Sequence, residues 1–179
     1  MTYIGNECLL VGGTNIAYTV NDFWRWSYSD IVGNKCRTDF AEFLVASSLD
    51  IVADGHRHSF SGRYDFISPF GFRIDVRSAA YIQSEDGEHQ DHISFAITAP
   101  LDAKERHSDV CVFCVYKGMV TVDSPLNTDM WDFYILPTDV LNKKVPSLKT
   151  ITLPSLMKLD PVWCDYYGIG DAIQKAMSA

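Results

Sequence analysis

The stretch that decides the fold runs from residue 63 to residue 78 and reads RYDFISPFGFRIDVRS. In its second half, apolar residues at positions 72, 74 and 76 alternate with Arg73, Asp75 and Arg77. Successive side chains of a strand point to opposite faces, so these three charged residues share one face. The stretch therefore predicts a β-hairpin with strands over residues 63–68 and 72–78, joined at Ser68-Pro69-Phe70-Gly71.

The turn sets which residues of the two strands face each other. If Pro69, Phe70 and Gly71 form a three-residue loop with a left-handed Gly71, Ser68 pairs with Phe72. Asp65 then lies opposite Asp75 and on the same face. A two-residue turn would instead place Asp65 opposite Ile74, so this arrangement depends on the turn type.

Two helices are predicted before the hairpin. The first runs from Phe23 to Val32 with Asp22 as its cap, and Gly33-Asn34 ends it. The second runs from about Lys35 to Leu49, with apolar residues at positions 36, 40, 43 and 44 spaced as one buried helix face requires.

The rest of the chain adds strands and a closing helix. The predicted strands are His92 to Thr98, Asp109 to Tyr116 and Trp131 to Leu136, and the helix runs from Ile169 to Met177. The order of elements favours an α/β (α+β) fold with a mixed central β-sheet flanked by helices. With no repeat or long linker in 179 residues, we expect a single domain over residues 1–179.

Composition narrows the protein class. The chain has 15 Lys and Arg against 23 Asp and Glu, a net charge of −8, which counts against a broad nucleic-acid-binding surface but leaves room for a local basic cleft. Five cysteines without regular spacing argue for a reducing compartment, so a cytoplasmic protein with no membrane span is expected. Cys111 and Cys114 are three residues apart in a predicted strand, so we expect them on opposite faces as core residues.

Two carboxylates that face each other on a sheet repel unless a cation lies between them. Asp65 and Asp75 therefore suggest a site for Mg²⁺ or Mn²⁺, which prefer oxygen ligands and bind substrate phosphates. Arg77, two residues on, would neutralise charge on a phosphate. The plainer alternative is a hairpin face on which these charges are simply solvated.

Asp65 followed by Asp75-Val76-Arg77 resembles the PD-(D/E)XK motif of the restriction-endonuclease-like nuclease superfamily. In that motif an acid on one hairpin strand precedes an acid-x-Lys triplet on the next, and Glu42 fits the acid that the preceding helix often adds. The wider chain also resembles an uncharacterised bacterial group within this superfamily, over the segments Phe23–Trp26, Arg37–Ala46, Ile74–Ser84, Asp123–Asn127 and Trp131–Pro137. Two residues depart from the motif: Arg77 replaces its lysine, and Tyr64 stands where a proline often precedes the first acid.

The resemblance implies a restriction-endonuclease-like core and a metal-dependent nuclease that hydrolyses phosphodiesters, DNA rather than RNA, in restriction or phage defence. Asp65, Asp75 and Glu42 would bind Mg²⁺ or Mn²⁺, and Arg77 would stabilise the transferring phosphate. Because a guanidinium stays protonated, Arg77 cannot serve as a base. The alternative is an inactive descendant that binds nucleic acid or a protein partner. Many members of the superfamily act as dimers, so a homodimer is a further expectation.

Three candidates have two interpretations each. Gln83 either contacts a phosphate or is a surface amide. Glu42 either binds metal or pairs with Arg25 or Arg37, because a buried carboxylate needs a partner. The aromatic residues of the first helix either stack on bases or, as is more usual for an amphipathic helix, pack in the core; they are Phe23, Trp24, Trp26 and Tyr28.

Overall fold

The computed structural model of the chain describes residues 3–52, 63–82, 92–98, 106–119 and 123–178. In chain order its elements are β1 (Cys8–Val11), β2 (Thr14–Thr19), α1 (Val20–Tyr28), α2 (Asn34–Ser48), β3 (Phe66–Ile67), β4 (Arg73–Ala80), β5 (Ser94–Ala96), β6 (Val110–Tyr116), β7 (Trp131–Pro137), α3 (Thr138–Lys144), β8 (Thr150–Thr152), α4 (Leu153–Met157), β9 (Val162–Cys164) and α5 (Ile169–Ser178). This is a mixed α/β architecture, as the order of elements predicted.

A five-stranded sheet with the order β3-β4-β6-β7-β9 forms the centre. β4 and β6 are parallel, whereas the other neighbours pair antiparallel. The sheet is therefore mixed, as expected. All seven residues of β6 are buried, which is typical of a central strand covered on both faces.

The β3–β4 hairpin has the register that the three-residue turn predicts. Phe66 pairs with Ile74, and the Ser68 N–H donates to the Phe72 carbonyl at 2.8 Å. Gly71 has φ +86°, a left-handed value that glycine adopts without a Cβ clash. The regular register ends at Phe66, because the N–H of the preceding residue, Asp65, donates to the Ile74 carbonyl at 2.8 Å and so does not follow the alternation that would set Asp65 directly opposite Asp75.

Each face of the sheet carries its own apolar core. On the first, which we call the α2 face, α2 and α5 pack against alternate residues of the strands, including Val76 and Cys114. On the second, the α3 face, residues of α3, α4, β5 and β8 pack against Ala79, Cys111 and Phe113. Cys111 and Cys114 thus point to opposite faces, as predicted, and all five cysteines are free thiols.

The predicted buried face of α2 is partly wrong. Phe43 is 52% exposed, and the buried stripe instead contains Ala41, Leu44 and Val45 together with two charged residues, Arg37 and Glu42. The helix is therefore rotated from the orientation that its apolar residues indicated, and Ala41, Leu44 and Val45 pack in the core of the α2 face.

The N-terminal part also differs from the prediction. α1 begins earlier, because Thr19 is its N-cap, and Asp22 serves as the third helical residue of a capping box. No residue of α1 is buried, so the expectation that its aromatic side chains pack in the core is wrong. β1 and β2 form a separate two-stranded sheet that the sequence did not predict. No helix within the described residues is long and apolar enough to cross a membrane.

Candidate functional site

The predicted charged face of β4 carries a side-chain ion pair. Arg77 donates from Nε and Nη2 to the two carboxylate oxygens of Asp75, at 2.7 and 2.6 Å. The Asp75 side chain is 14% exposed and that of Arg77 is 37% exposed. A planar guanidinium fits a carboxylate in this two-point geometry, so Asp75 is held by a cation from its own strand.

Asp75 and Arg77 lie on the α3 face, because alternation along β4 places them on the same side as Ala79. There the Cys111 thiol lies 3.8 Å from Asp75 Oδ2 and 3.4 Å from the Thr138 hydroxyl. The Thr138 hydroxyl in turn lies 2.7 Å from that of Ser108. Asp75 therefore sits at one end of a buried chain of weak donors contributed by β6, α3 and the segment before β6.

A second arginine, Arg106, stands beside this pair. Its Nε donates to the Ile97 carbonyl at 2.6 Å, Nη1 to Asn142 Oδ1 at 3.2 Å and Nη2 to the Leu148 carbonyl at 3.1 Å. All three acceptors are neutral, so these contacts hold the Arg106 guanidinium in place without neutralising its positive charge. The sequence did not single out Arg106, since nothing in its local pattern places it near Asp75.

Asp75, Arg77 and Arg106 open onto a cavity of about 220 Å³. The lining residues are Arg63, Asp75, Arg77, Ile97, Thr98, Arg106, His107, Ser108, Cys111 and Leu141. The lining thus contains three arginines and one histidine against a single carboxylate. Its charge balance is opposite in sign to that of the whole chain.

The charges of this site influence one another. Burial favours the neutral form of Arg77, but the charge and hydrogen bonds of Asp75 outweigh that effect and raise the pKa of Arg77. Burial raises the pKa of Asp75, while Arg77 opposes that change. Burial, together with the charge of Asp75, raises the pKa of Cys111 to about 12, so this cysteine remains a neutral thiol rather than a nucleophile.

Asp65 lies at the edge of the sheet rather than in the cavity lining. Its carboxylate accepts the Val76 N–H at 2.7 Å, just beyond the last paired residue of β3. A strand N–H points within the plane of the sheet, so the carboxylate occupies the place that a further β3 carbonyl would take. The predicted register is confirmed for Phe66 and Ile67, but Asp65 lies beyond these paired residues, and its side chain is turned towards the strand edge.

Glu42 is separated from Asp75 by the sheet. α2 packs on the α2 face, where its Thr38 hydroxyl lies 3.2 Å from that of Ser78 on β4. Glu42 itself is 6% exposed, and its charge contributes to raising the pKa of Cys114, which lies on this same face. The expected convergence of Glu42 with Asp75 is therefore absent from this arrangement.

The positions of Asp65, Asp75 and Glu42 decide whether these acids can share the expected Mg²⁺ or Mn²⁺ ion. Within the residues that the structure describes, no three His, Cys, Asp or Glu side chains are grouped so that they could hold one metal ion. Asp75 is engaged by Arg77, Asp65 by a backbone N–H, and Glu42 lies on the other face. The three acids thus do not fit a shared metal site in this conformation. Gln83, the further candidate, lies outside the described residues.

No known protein family matches this chain, and a comparison with curated proteins finds no significant match.

Proposed function

We propose that the chain is a non-catalytic module with a restriction-endonuclease-like core that binds a phosphate of a nucleic acid, DNA in preference to RNA, at the cavity beside Arg77. The observation that carries this proposal is the two-point ion pair between Arg77 and Asp75. It gives Asp75 a partner at the position where a metal ion would otherwise be expected.

The charge balance of the cavity supports an anionic ligand. Arg77 uses Nε and Nη2 for Asp75, so its Nη1 is not part of that pair. The charge of Arg106 lies close enough to affect Arg77, and Thr98 and Ser108 add hydroxyls to the lining. Guanidinium groups with nearby hydroxyls are the donors that bind phosphate oxygens in proteins. A cytoplasmic location, which the cysteine pattern predicts, is part of this proposal.

A metal-dependent nuclease is the second candidate function, and the hairpin register favours it. Asp65 directly precedes β3 and Asp75 lies on the paired strand β4, which is the order of the two acids in the motif. Such an enzyme would have to release Asp75 from Arg77 before that carboxylate could bind Mg²⁺ or Mn²⁺. It would also need a conformation in which Glu42 reaches the same face, or a site without Glu42.

A binding measurement tests the first candidate. The protein is titrated into a short fluorescein-labelled DNA duplex, and separately into RNA of the same sequence, in EDTA at low salt, while anisotropy is recorded. Loss of a charge-assisted hydrogen bond to phosphate is worth about 1.5–3 kcal/mol, so R77M should weaken binding about tenfold or more. R73M is the matched control, because Arg73 is on the same strand and face but does not line the cavity. Equal effects of R77M and R73M would contradict the proposed site.

A cleavage assay separates the two candidates. Wild type, D75N and R77K are incubated with plasmid and linear DNA in Mg²⁺ or Mn²⁺. The non-catalytic proposal expects no metal-dependent products from wild type. Products that D75N abolishes would overturn it and establish the nuclease. R77K replaces the guanidinium by the lysine of the motif, so cleavage by this variant alone would show that the arginine is what silences the site.

A further inference from the structure

The cavity of the candidate site reaches from the surface into the core of the α3 face. Arg63 and Thr98, which line it, are exposed. Ile97, Cys111 and Leu141 also line it, but they are at most 2% exposed and belong to the apolar core of that face. The exposed residues therefore mark its mouth and the core residues its floor. A ligand that fills this cavity has to enter the protein rather than lie across its surface.

The volume of the cavity limits what can enter. At about 220 Å³ it is smaller than the sites of about 300–1,000 Å³ that enclose a drug-sized ligand, and a nucleotide is of that size. A phosphate group fits in this volume, whereas a phosphate with its sugar and base does not. An internal phosphodiester has a sugar on each side, so two nucleosides would crowd the mouth before the phosphate reached the floor. A terminal phosphate has only one.

The charged side chains of the lining match a doubly charged anion. Three arginines against Asp75 give the lining a formal charge of +2, with His107 counted as neutral. An internal phosphodiester carries one negative charge, whereas a phosphate monoester carries about 1.5–2 negative charges at pH 7. The monoester therefore balances the charge of the lining more fully.

Two guanidinium groups of the lining carry hydrogens beyond those used in their own contacts. Arg77 uses Nε and Nη2 for Asp75, so both hydrogens of its Nη1 lie outside that pair. Arg106 donates from Nη1 to Asn142 and from Nη2 to the Leu148 carbonyl, and each of these nitrogens carries a second hydrogen. A phosphate monoester offers three terminal oxygens to such donors, one more than a diester.

We propose that the cavity binds the terminal phosphate monoester of a nucleic-acid strand, with the terminal nucleoside outside its mouth. This inference rests on the phosphate-binding function proposed above, and it narrows the ligand from any phosphate of a strand to a phosphorylated strand end. The chain would then recognise cut DNA rather than continuous DNA.

Fluorescence anisotropy in EDTA tests this inference with duplexes of one sequence, labelled on an internal base so that both ends are free. The ends carry a 5′-phosphate, a 3′-phosphate, hydroxyls only, or the methyl ester of either terminal phosphate, which has one charge. Wild type should bind one of the phosphorylated duplexes at least about tenfold more tightly than the hydroxyl duplex, because it gains charge-assisted hydrogen bonds. The methyl ester should lose most of that gain.

Two variants test whether the preference arises in the cavity. R77M should abolish it, whereas the control R73M should keep it, because Arg73 does not line this cavity. R106Q removes another charge but retains an amide that can donate to the Ile97 carbonyl, so it should fold. It should lower the affinity for the phosphorylated duplex more than for the hydroxyl duplex. Circular dichroism checks the fold of each variant, and the comparison of ligands with wild type depends on none of them.

The outcomes separate this inference from the proposed function. Equal binding of phosphorylated and hydroxyl duplexes, with an affinity that R77M reduces, would overturn the strand-end inference and leave the phosphate-binding function standing. Absence of binding to every duplex, or a preference that R77M retains, would overturn both. Equal binding of the methyl ester would overturn the charge match on which the inference depends. A deoxynucleoside monophosphate that displaces the phosphorylated duplex at an equal concentration would make the ligand a free nucleotide instead of a strand end.

Discussion

Replacing Arg77 by methionine removes the cation from the Asp75 ion pair while keeping much of the side-chain volume. Asp75 would then lose two charge-assisted hydrogen bonds of 2.7 and 2.6 Å and retain only the distant Cys111 thiol as a weak donor in this cluster. A carboxylate that stays buried without a cation is destabilising because protein replaces most of its water. R77M should therefore destabilise the folded state substantially.

The exposed fractions of the Asp75 and Arg77 side chains determine how much R77M should lower the free energy of unfolding. Removing one partner of a fully buried ion pair costs about 3–5 kcal/mol. The Asp75 side chain is 14% exposed and Arg77 is 37% exposed, so water reaches part of the pair. We expect a loss of about 2–3 kcal/mol for R77M. D75N should cost less, because Arg77 can turn towards solvent and the amide oxygen still accepts a hydrogen bond.

The free energy of unfolding is measured by urea denaturation with tryptophan fluorescence, at neutral pH and again at mildly acidic pH. Burial already raises the pKa of Asp75 in the wild type, where Arg77 opposes the change; R77M removes that opposition, so the folded-state pKa of Asp75 rises further in the variant. The cost of the unpaired carboxylate is therefore present above that folded-state pKa and is relieved as the pH falls and the group is protonated. The stability difference between R77M and wild type should shrink at acidic pH.

The ion pair between Arg73 and Asp109 provides the control. It joins the same strand to the start of β6 with similar two-point geometry, but its side chains are 44% and 27% exposed. Exposed pairs contribute about 0.2–1 kcal/mol, so R73M should cost under about 1 kcal/mol. The reasoning is refuted if R77M and R73M cost the same, if D75N costs more than R77M, or if the R77M penalty does not depend on pH.

Three further outcomes are expected. Burial raises the pKa of Cys111 and of Cys164 to about 12, so Ellman's reagent at mildly alkaline pH should modify them only at the rate of unfolding, unlike a thiol exposed in the native state. G71A should destabilise the protein by about 1–2 kcal/mol, because an alanine at φ +86° strains the backbone even though there is open space for its Cβ. An unchanged free energy of unfolding in urea denaturation would contradict this prediction. F113A should lower the free energy of unfolding by about 3–5 kcal/mol in the same assay, because Phe113 is fully buried and its ring centroid lies 5.0 Å from that of Phe95. A decrease of less than about 2 kcal/mol would show that the α3 face is loosely packed.

Local patterns predicted the elements near the motif well. The strand at β4, the strands at β6 and β7, the second helix and the closing helix were all expected within a few residues of their observed bounds. The elements that the sequence did not predict are β1, β2, α3, β8, α4 and β9. Three of them, β8, β9 and α4, have only three to five residues each. Such segments are too short for a period of apolar residues to develop, and they form because they complete layers whose other members are distant in sequence.

What the sequence determined by itself is the hairpin: alternation along residues 72–78 and a glycine free to adopt positive φ at Gly71 are local properties, and they bring the segment that contains Asp65 beside the strand that contains Asp75. Only the tertiary structure decided what those acids contact. The sheet separates Glu42 from Asp75 because α2 packs on the opposite face from the one that carries the ion pair. Arg106 reaches the cavity through carbonyls of Ile97 and Leu148, contacts that no local period encodes. Side-chain direction along a strand follows from its period of two, whereas the partner of a charge depends on which distant segments pack beside it.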